Sequence, residues 1–277
     1  DSGVGIATRK SLLEAAGVRI PESYLDTWTL DEFNDVLAKM QALPDVSYAL
    51  DLKMNYGPGE WFTYGFSPVL QSFGGDLIDR ETYMTAEGVL NGPEAVAAME
   101  WLQSIFVDGY TTSTPPDDNE FVNGKAAMAW FGPWMYTAYK EAFGDDLIVL
   151  PLPDFGTGAK TGMGAWAWGI TSKCEHPDAA WSFVEYMLEP DQVLRASNHV
   201  GTAPGRLSAL AQSEIWNEEG DLRYLSQQLL NGIAFPRPIT PAYPTITVAF
   251  FTAMDNIING ADVQDELDKA VDAIDRV

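Results

Sequence analysis

Apolar residues recur at helical spacing in many segments of the chain. Thr29 and Glu32 form the pattern of a helix N-terminal capping box, and apolar residues spaced three and four apart follow them. Pro93 fits the first turn of another helix. The pattern predicts helices that begin at Leu30, Pro93, Trp134 and Pro177, and further helices over 8–17, 61–73, 119–123, 221–231, 243–258 and 263–276.

Short apolar runs bounded by turn-forming residues predict the strands. These runs cover 48–54, 126–131, 147–152 and 164–171. The strands alternate with helices, and the helices are more numerous. The predicted fold class is therefore α/β.

Charge and cysteine content exclude several classes of function. The chain has 16 basic and 40 acidic residues and a formal net charge of −24. Such a surface repels phosphate groups, so we expect neither nucleic acid nor an anionic membrane as a partner. The single cysteine, Cys174, excludes an internal disulfide, and no apolar run is long enough for a membrane-spanning helix. From Asp1 onward, the chain does not begin with the pattern of a signal peptide.

Cofactor and metal motifs are also missing from the sequence. Two histidines cannot form a histidine-rich metal centre, and the glycines around 162–164 lack the third glycine of a dinucleotide loop. We therefore expect no cofactor and no metal. No nucleophile elbow of the type Gly-x-Ser-x-Gly occurs either.

Aromatic residues are abundant, with 9 Trp, 11 Tyr and 13 Phe. Any single tryptophan can be explained by an aromatic core, but four segments place aromatic residues beside glycine or proline. A sugar ring packs its C–H face on an aromatic plane, and its hydroxyls need charged or amide partners nearby. The combination indicates carbohydrate binding. The four segments are 59–64, 130–134, 162–169 and 235–244.

Several motifs follow one another in an order typical of a known family. The most specific is Phe-Val-Asn-Gly-Lys-Ala-Ala-Met at 121–128, followed by Gly-Pro-Trp at 132–134. The chain resembles the extracellular solute-binding proteins of bacterial ABC sugar importers, the group that includes the maltose-binding protein. The other matching segments are 11–17, 28–33, 70–75, 166–170 and 177–188.

The resemblance implies a fold and a domain organisation. It implies the two-lobe periplasmic-binding-protein fold of type II, which closes on a ligand between its lobes. Residues 1–6 would be a hinge crossover, and 7–167 with 212–277 would form the C-terminal α/β lobe. Residues 168–211 would dock on the N-terminal lobe, most of which this chain lacks relative to the family.

The resemblance also implies site residues. Trp134 corresponds to the sugar-stacking tryptophan of the Gly-Pro-Trp motif. The expected ligand-contacting residues are Trp134, Trp61, Glu60, Tyr64, Trp166, Arg237 and Tyr243. Trp130 and Trp168 are expected in the core. The tryptophans expected to pack between helices are Trp28, Trp101, Trp181 and Trp216.

The implied function is that of a non-enzymatic binding protein. It would bind a neutral sugar or short oligosaccharide and deliver it to the transmembrane subunits of an ABC permease. Its location would be the periplasm, or the cell surface through a lipid anchor. The alternative is a secreted glycoside hydrolase that uses Glu60, next to Trp61, as a catalytic carboxylate. Among binding proteins, sugar alcohols, polyamines and phosphorylated polyols stay open as ligands.

Overall fold

A four-stranded mixed sheet forms the centre of the protein, in a computed structural model that describes residues 2–57 and 59–277. Its strands are β1 (Gly5–Arg9), β2 (Tyr48–Asp51), β3 (Ala126–Phe131) and β4 (Leu147–Pro151). The spatial order is β2-β3-β1-β4, in which β1 is antiparallel to both neighbours and β2 is parallel to β3. Strands β5 (Thr161–Met163) and β6 (Ala234–Pro236) form a parallel pair beside it.

Helices surround the sheet and supply most of the residues that cover it. They are α1 (Lys10–Ala16), α2 (Leu30–Gln41), α3 (Glu60–Phe73), α4 (Pro93–Val107), α5 (Tyr136–Phe143), α6 (Pro177–Met187), α7 (Pro190–Val200), α8 (Leu207–Leu210), α9 (Arg223–Leu230), α10 (Tyr243–Ile258) and α11 (Val263–Ile274). Short 3-10 helices occur at Met54–Tyr56, Pro133–Met135 and Gly144–Asp146.

The core lies on both faces of the sheet. The buried apolar residues form two clusters, a larger and a smaller one. Successive side chains of β3 point to opposite faces, so Trp130 belongs to the larger cluster, together with residues of α2, α3, α4, α10 and α11. The ring of Trp130 stacks on Phe66 at 5.9 Å, and its indole N–H donates to the Gly65 carbonyl at 2.8 Å. Phe131 faces the smaller cluster, which includes Tyr139 of α5 and Leu225 of α9.

Several predicted elements are confirmed. The Thr29 hydroxyl accepts from the Glu32 amide, and the Glu32 carboxylate accepts from the Thr29 amide, which completes the predicted capping box. Helix α10 has the predicted bounds, and Pro93 and Pro177 open α4 and α6 as expected. The predicted strands at 126–131 and 147–152 appear as β3 and β4, and the one predicted over 48–54 appears as the shorter β2, which ends at Asp51 before the 3-10 helix Met54–Tyr56.

Other predicted elements are wrong. The predicted strand over 164–171 is absent, since β5 ends at Met163 and residues 165–170 are exposed without regular structure. The alternating Ala-Trp-Ala-Trp pattern resembles a strand, but no strand of the described chain pairs with it. Residues 119–123 form turns rather than a helix. Residues 8–9 belong to β1, so the first helix starts later than predicted.

Five described α-helices and strands have no counterpart in the predictions. Helices α7 and α8 and strands β1, β5 and β6 were not expected, and α8, β5 and β6 are only four, three and three residues long. None of the helices in the described part of the chain is both long and apolar enough to cross a membrane.

Candidate functional site

A cleft of about 440 Å³ opens beside the N-terminal end of α3. The 3-10 helix Pro133–Met135, the loop after β5 and the loop between β6 and α10 form its other sides. These segments are far apart in sequence, and the sheet brings them together. The lining residues are Ser2, Tyr56, Gly57, Gly59, Glu60, Trp61, Tyr64, Trp134, Gly164, Ala165, Trp166, Thr202 and Arg237.

Four aromatic residues, which we call the aromatic wall, form one side of the cleft: Tyr56, Trp61, Tyr64 and Trp134. The ring centroids of Trp61 and Trp134 are 5.7 Å apart with an interplanar angle of 83°, and those of Tyr64 and Trp134 are 6.1 Å apart. Trp61 and Tyr64 are buried, whereas Trp134 keeps 36% of its surface exposed. The Trp134 ring is therefore accessible from the cleft, and the buried rings of Trp61 and Tyr64 pack against it.

The end of β3 sets the position of Trp134. The strand stops at Phe131, and Pro133 starts the 3-10 helix that carries the tryptophan. A Cβ atom at Gly132 would lie 2.2 Å from the Trp134 ring, so this ring lies directly against a position that only glycine can occupy without a shift. The indole N–H of Trp134 donates to the Tyr56 hydroxyl at 2.9 Å.

A charged group of residues forms another edge of the cleft. The Arg237 Nε and Glu60 Oε2 atoms are 3.1 Å apart, and the Tyr243 hydroxyl donates to the same Glu60 oxygen at 2.5 Å. The Arg237 guanidinium lies 5.5 Å from the centroid of the Tyr64 ring. Burial and the adjacent Glu60 carboxylate raise the pKa of Tyr243, so its hydroxyl stays protonated and can donate.

Tyr64 connects the aromatic wall to Ser2 through a hydrogen bond. Its hydroxyl donates to the Ser2 hydroxyl at 2.9 Å, and the Ser2 hydroxyl donates to the Gly164 carbonyl at 3.2 Å. Burial raises the pKa of Tyr64 to about 12. The tyrosine is therefore neutral at physiological pH, and this chain of hydrogen bonds holds the loop after β5 at the cleft.

The structure brings the predicted site residues to one place. Six of them line the cleft, and Tyr243 contacts it through Glu60. Trp166 lies in an exposed loop rather than on the predicted strand, and 94% of its surface is exposed at the rim. Ligand contact by all seven residues stays a prediction. The six lining residues are Trp134, Trp61, Glu60, Tyr64, Trp166 and Arg237.

Sequence reasoning missed three polar or aromatic side chains of the cleft: Ser2, Tyr56 and Thr202. Tyr56 precedes the Gly-Pro-Gly sequence at 57–59, next to a segment singled out for its aromatics, and this position was an available signal. Ser2 and Thr202 lie in segments without any aromatic residue nearby, so nothing in their local sequence indicated the cleft.

Two tryptophan predictions are wrong. Trp168 was expected in the core, but 62% of its surface is exposed, and its ring contacts Phe183 edge-on at 5.9 Å. Trp181 was expected to pack between helices, but 52% of its surface is exposed. The whole of α6 is in the same situation, since none of its residues is buried. The other tryptophans predicted to be internal are buried: Trp28, Trp101, Trp130 and Trp216.

The charged side chains in the described lining of the cleft are Glu60 and Arg237. Glu60 is the one carboxylate among the described residues that line it, whereas a glycoside hydrolase places two carboxyl groups across the sugar. Within residues 2–57 and 59–277, no three His, Cys, Asp or Glu side chains are grouped so that they could hold a metal ion.

Sequence comparison assigns the family. The profile of the bacterial extracellular solute-binding proteins matches residues 1–222, and the chain belongs to this family. A protein of Sinorhizobium fredii, named as a probable amino-acid ABC transporter periplasmic-binding protein (y4oP), is 25% identical over 211 residues. The alignment covers 74% of this chain and 46% of that protein, so the chain spans about half the length of this curated relative.

Solved structures confirm the α/β class and the periplasmic-binding-protein fold. An ABC transporter solute-binding protein from Thermotoga lettingae with bound α-D-tagatose matches with a TM-score of 0.82 at 20% identity, over 99% of this chain and 70% of that one. A cyclic α-maltosyl-1,6-maltose binding protein from Arthrobacter globiformis matches with a TM-score of 0.70 at 25% identity, over 99% and 70% of the two chains. The family resemblance read from the motifs is thus confirmed, and the family implies a periplasmic or extracellular location.

Proposed function

We propose that this chain binds a neutral sugar or short oligosaccharide in the cleft, as the substrate-binding component of an ABC importer that delivers the ligand to the permease. The proposal rests on the partly exposed Trp134 ring, which lines the same cleft as the Glu60–Arg237 pair. A sugar can pack its C–H face on the indole while its hydroxyls bond to the carboxylate and the guanidinium.

The charge of the cleft supports a neutral ligand. The negative charge of Glu60 and the positive charge of Arg237 cancel, and these two are the only charged residues in the described lining. A polyamine would need carboxylates that are not already paired, and a phosphorylated polyol would face a chain with a net charge of −24. The named ligands of the structural relatives, tagatose and a cyclic maltosyl-maltose, also favour a saccharide.

We also propose that residues 168–211 dock on an N-terminal lobe, with 1–6 as the hinge crossover and 7–167 with 212–277 as the C-terminal lobe. The exposed aromatic side chains of Trp181 and Phe183 on α6 support this, since a large apolar surface usually marks a contact. Trp166 is exposed on the open side of the cleft, where a second lobe would complete the ligand shell.

Calorimetric titration tests the ligand class. The panel contains tagatose, maltose and a longer maltooligosaccharide, together with amino acids, because the curated relative is named for amino acids. We expect binding of at least one saccharide. Trp134→Ala should weaken it by about 1–3 kcal/mol because the aromatic anchor is lost.

Trp181→Ala is the matched control, since it removes an exposed tryptophan on α6 outside the cleft lining. We expect its affinity to stay within about 0.5 kcal/mol of the unaltered chain. Binding of amino acids without any saccharide binding at millimolar concentration would overturn the proposal. An unchanged affinity in Trp134→Ala would remove this residue from the site.

A further inference from the structure

Both tryptophans of the aromatic wall are held by one short stretch of chain, Asp51 to Tyr56. The indole N–H of Trp61 donates to the Leu52 carbonyl at 3.1 Å, and the indole N–H of Trp134 donates to the Tyr56 hydroxyl at 2.9 Å. This stretch therefore helps to fix the position of both rings.

A buried lysine lies in the middle of the stretch. Only 1% of the Lys53 side chain is exposed, and its Nζ atom is 2.7 Å from Asp51 Oδ2 and donates to the Asp118 carbonyl at 2.7 Å. The backbone of Lys53 is left-handed, with φ 57° and ψ 40°, and its amide donates to Asp51 Oδ1 at 2.9 Å. Lys53 is thus fixed at both its backbone and its side chain.

The backbone conformation and the buried ion pair of Lys53 both cost free energy, which a residue with a packing role alone would not require. A non-glycine residue is disfavoured in the left-handed region, and a buried ion pair seldom stabilises more than apolar residues of similar volume do. Such costs persist where surrounding contacts enforce them, and they concentrate at functional sites. The immediate result of the left-handed turn is the 3-10 helix Met54–Tyr56, in which the Tyr56 amide donates to the Lys53 carbonyl at 3.2 Å.

Asp118 fixes the same 3-10 helix from the other side. Its carbonyl accepts from the Lys53 side chain, and its carboxylate accepts from the side-chain amide of Asn55 at 2.7 Å. Burial, and to a lesser extent the charge of Asp118, raise the pKa of Tyr56. The Tyr56 hydroxyl therefore stays neutral and keeps its lone pairs available to the indole N–H of Trp134.

We propose that Lys53 is a positioning residue for the aromatic wall. Together with Asp51 and Asp118, it fixes the turn that carries the Tyr56 hydroxyl to Trp134. This inference rests on the proposed function, because it gives Lys53 an indirect part in sugar binding through the orientation of Trp134. Lys53 itself is buried and does not line the cleft.

The test reads the Trp134 indole in the ligand-free chain by NMR with labelled tryptophan. Trp134→Phe assigns the signal, and Tyr56→Phe shows where it moves when the hydrogen bond is lost. The test variant combines Asp51→Asn with Lys53→Met, so that no buried charge is left unpaired. We expect its Trp134 signal to move toward the Tyr56→Phe position and its indole proton to exchange faster with solvent.

Saccharide affinity gives the second measurement. We expect the paired variant to bind roughly tenfold more weakly, because the site loses its supporting contacts. Adding Tyr56→Phe to it should cost little more, since both changes break the same connection. The charge-matched control is Asp35→Asn with Lys39→Met, which removes an exposed pair on α2 and should move neither the signal nor the affinity.

The outcomes separate the positioning role from the proposed function. A Trp134 signal that stays at its original position in a folded Asp51→Asn, Lys53→Met variant overturns the inference. A shifted signal in a chain that binds no saccharide supports the positioning role and contradicts the proposed function. If the paired variant does not fold, Asn55→Ala loosens the same turn from the Asp118 side. It must then shift the Trp134 signal in the same direction, and an unmoved signal overturns the inference.

Discussion

Gly132 shows how one absent side chain shapes the candidate site. The Trp134 ring occupies the space that a Cβ atom at Gly132 would need, at a distance of 2.2 Å. In Gly132→Ala, the indole must swing away and lose its hydrogen bond to Tyr56. We expect saccharide affinity to fall by about 1–2 kcal/mol, as for the partial loss of an aromatic anchor, which calorimetry would measure.

Gly205→Ala serves as the control for this change. A Cβ atom at Gly205 meets no atom within 4 Å, and the residue does not line the cleft. Its affinity should match that of the unaltered chain. If Gly132→Ala binds as tightly as Gly205→Ala, the position of the Trp134 ring does not depend on the glycine.

At the residue scale, the sequence indicated side chains whose chemistry is visible locally. Trp134, Trp61 and Glu60 stand in segments where aromatic or acidic residues accompany glycine and proline, and the structure places them at one cleft. Tyr56 and Lys53 could not be predicted in the same way. Their contacts with Trp134 and Asp118 join residues 78 and 65 positions apart, so their importance depends on the tertiary fold.

Helix α2 is the element whose beginning the sequence specifies most completely. The Thr29 hydroxyl accepts the Glu32 amide at 3.3 Å, and Phe33 and Leu37 are buried on the inner face. Thr29→Ala removes this acceptor at the helix terminus. We expect the free energy of unfolding to fall by about 1 kcal/mol, measured by urea denaturation.

Thr252→Ala is the matched comparison for that prediction. Thr252 lies within α10, and its exposed hydroxyl donates to the Val248 carbonyl four residues earlier. Alanine has the better helix propensity, so this variant should be equal in stability or slightly more stable. Equal losses in both variants would show that the capping box contributes nothing specific.

Element prediction failed where local pattern and tertiary partners disagree. Capping and apolar periodicity are local signals, and they correctly predicted α2, α4 and α10. The segment 164–171 has strand-like alternation, but a strand forms only when a neighbour pairs with it. Strand β6 is the reverse case: its three residues have no strand-like alternation, but they form a strand because they pair with β5.

At the scale of the whole molecule, α6 presents an apolar surface that the described chain leaves uncovered. Trp181, Phe183 and Tyr186 are all exposed, although α6 has the apolar periodicity of a packed helix. The class of fold was predictable because the pattern of elements determines it. The sequence could not predict which apolar surface is buried, because α6 has the same apolar pattern whether or not another lobe covers it.

The exposed face of α6 predicts self-association of the 277-residue chain, because an apolar patch on a soluble surface favours contact with a second copy. Sedimentation velocity across a concentration series should show weak oligomers. Trp181→Ser with Phe183→Ser should shift the distribution toward monomer without lowering the thermal midpoint, since neither side chain is buried. Leu25→Ser with Val248→Ser removes two exposed apolar residues elsewhere and should leave the association unchanged. A chain that stays monomeric at every concentration would show that this face does not need a partner, and it would remove the main support for docking of 168–211 on another lobe.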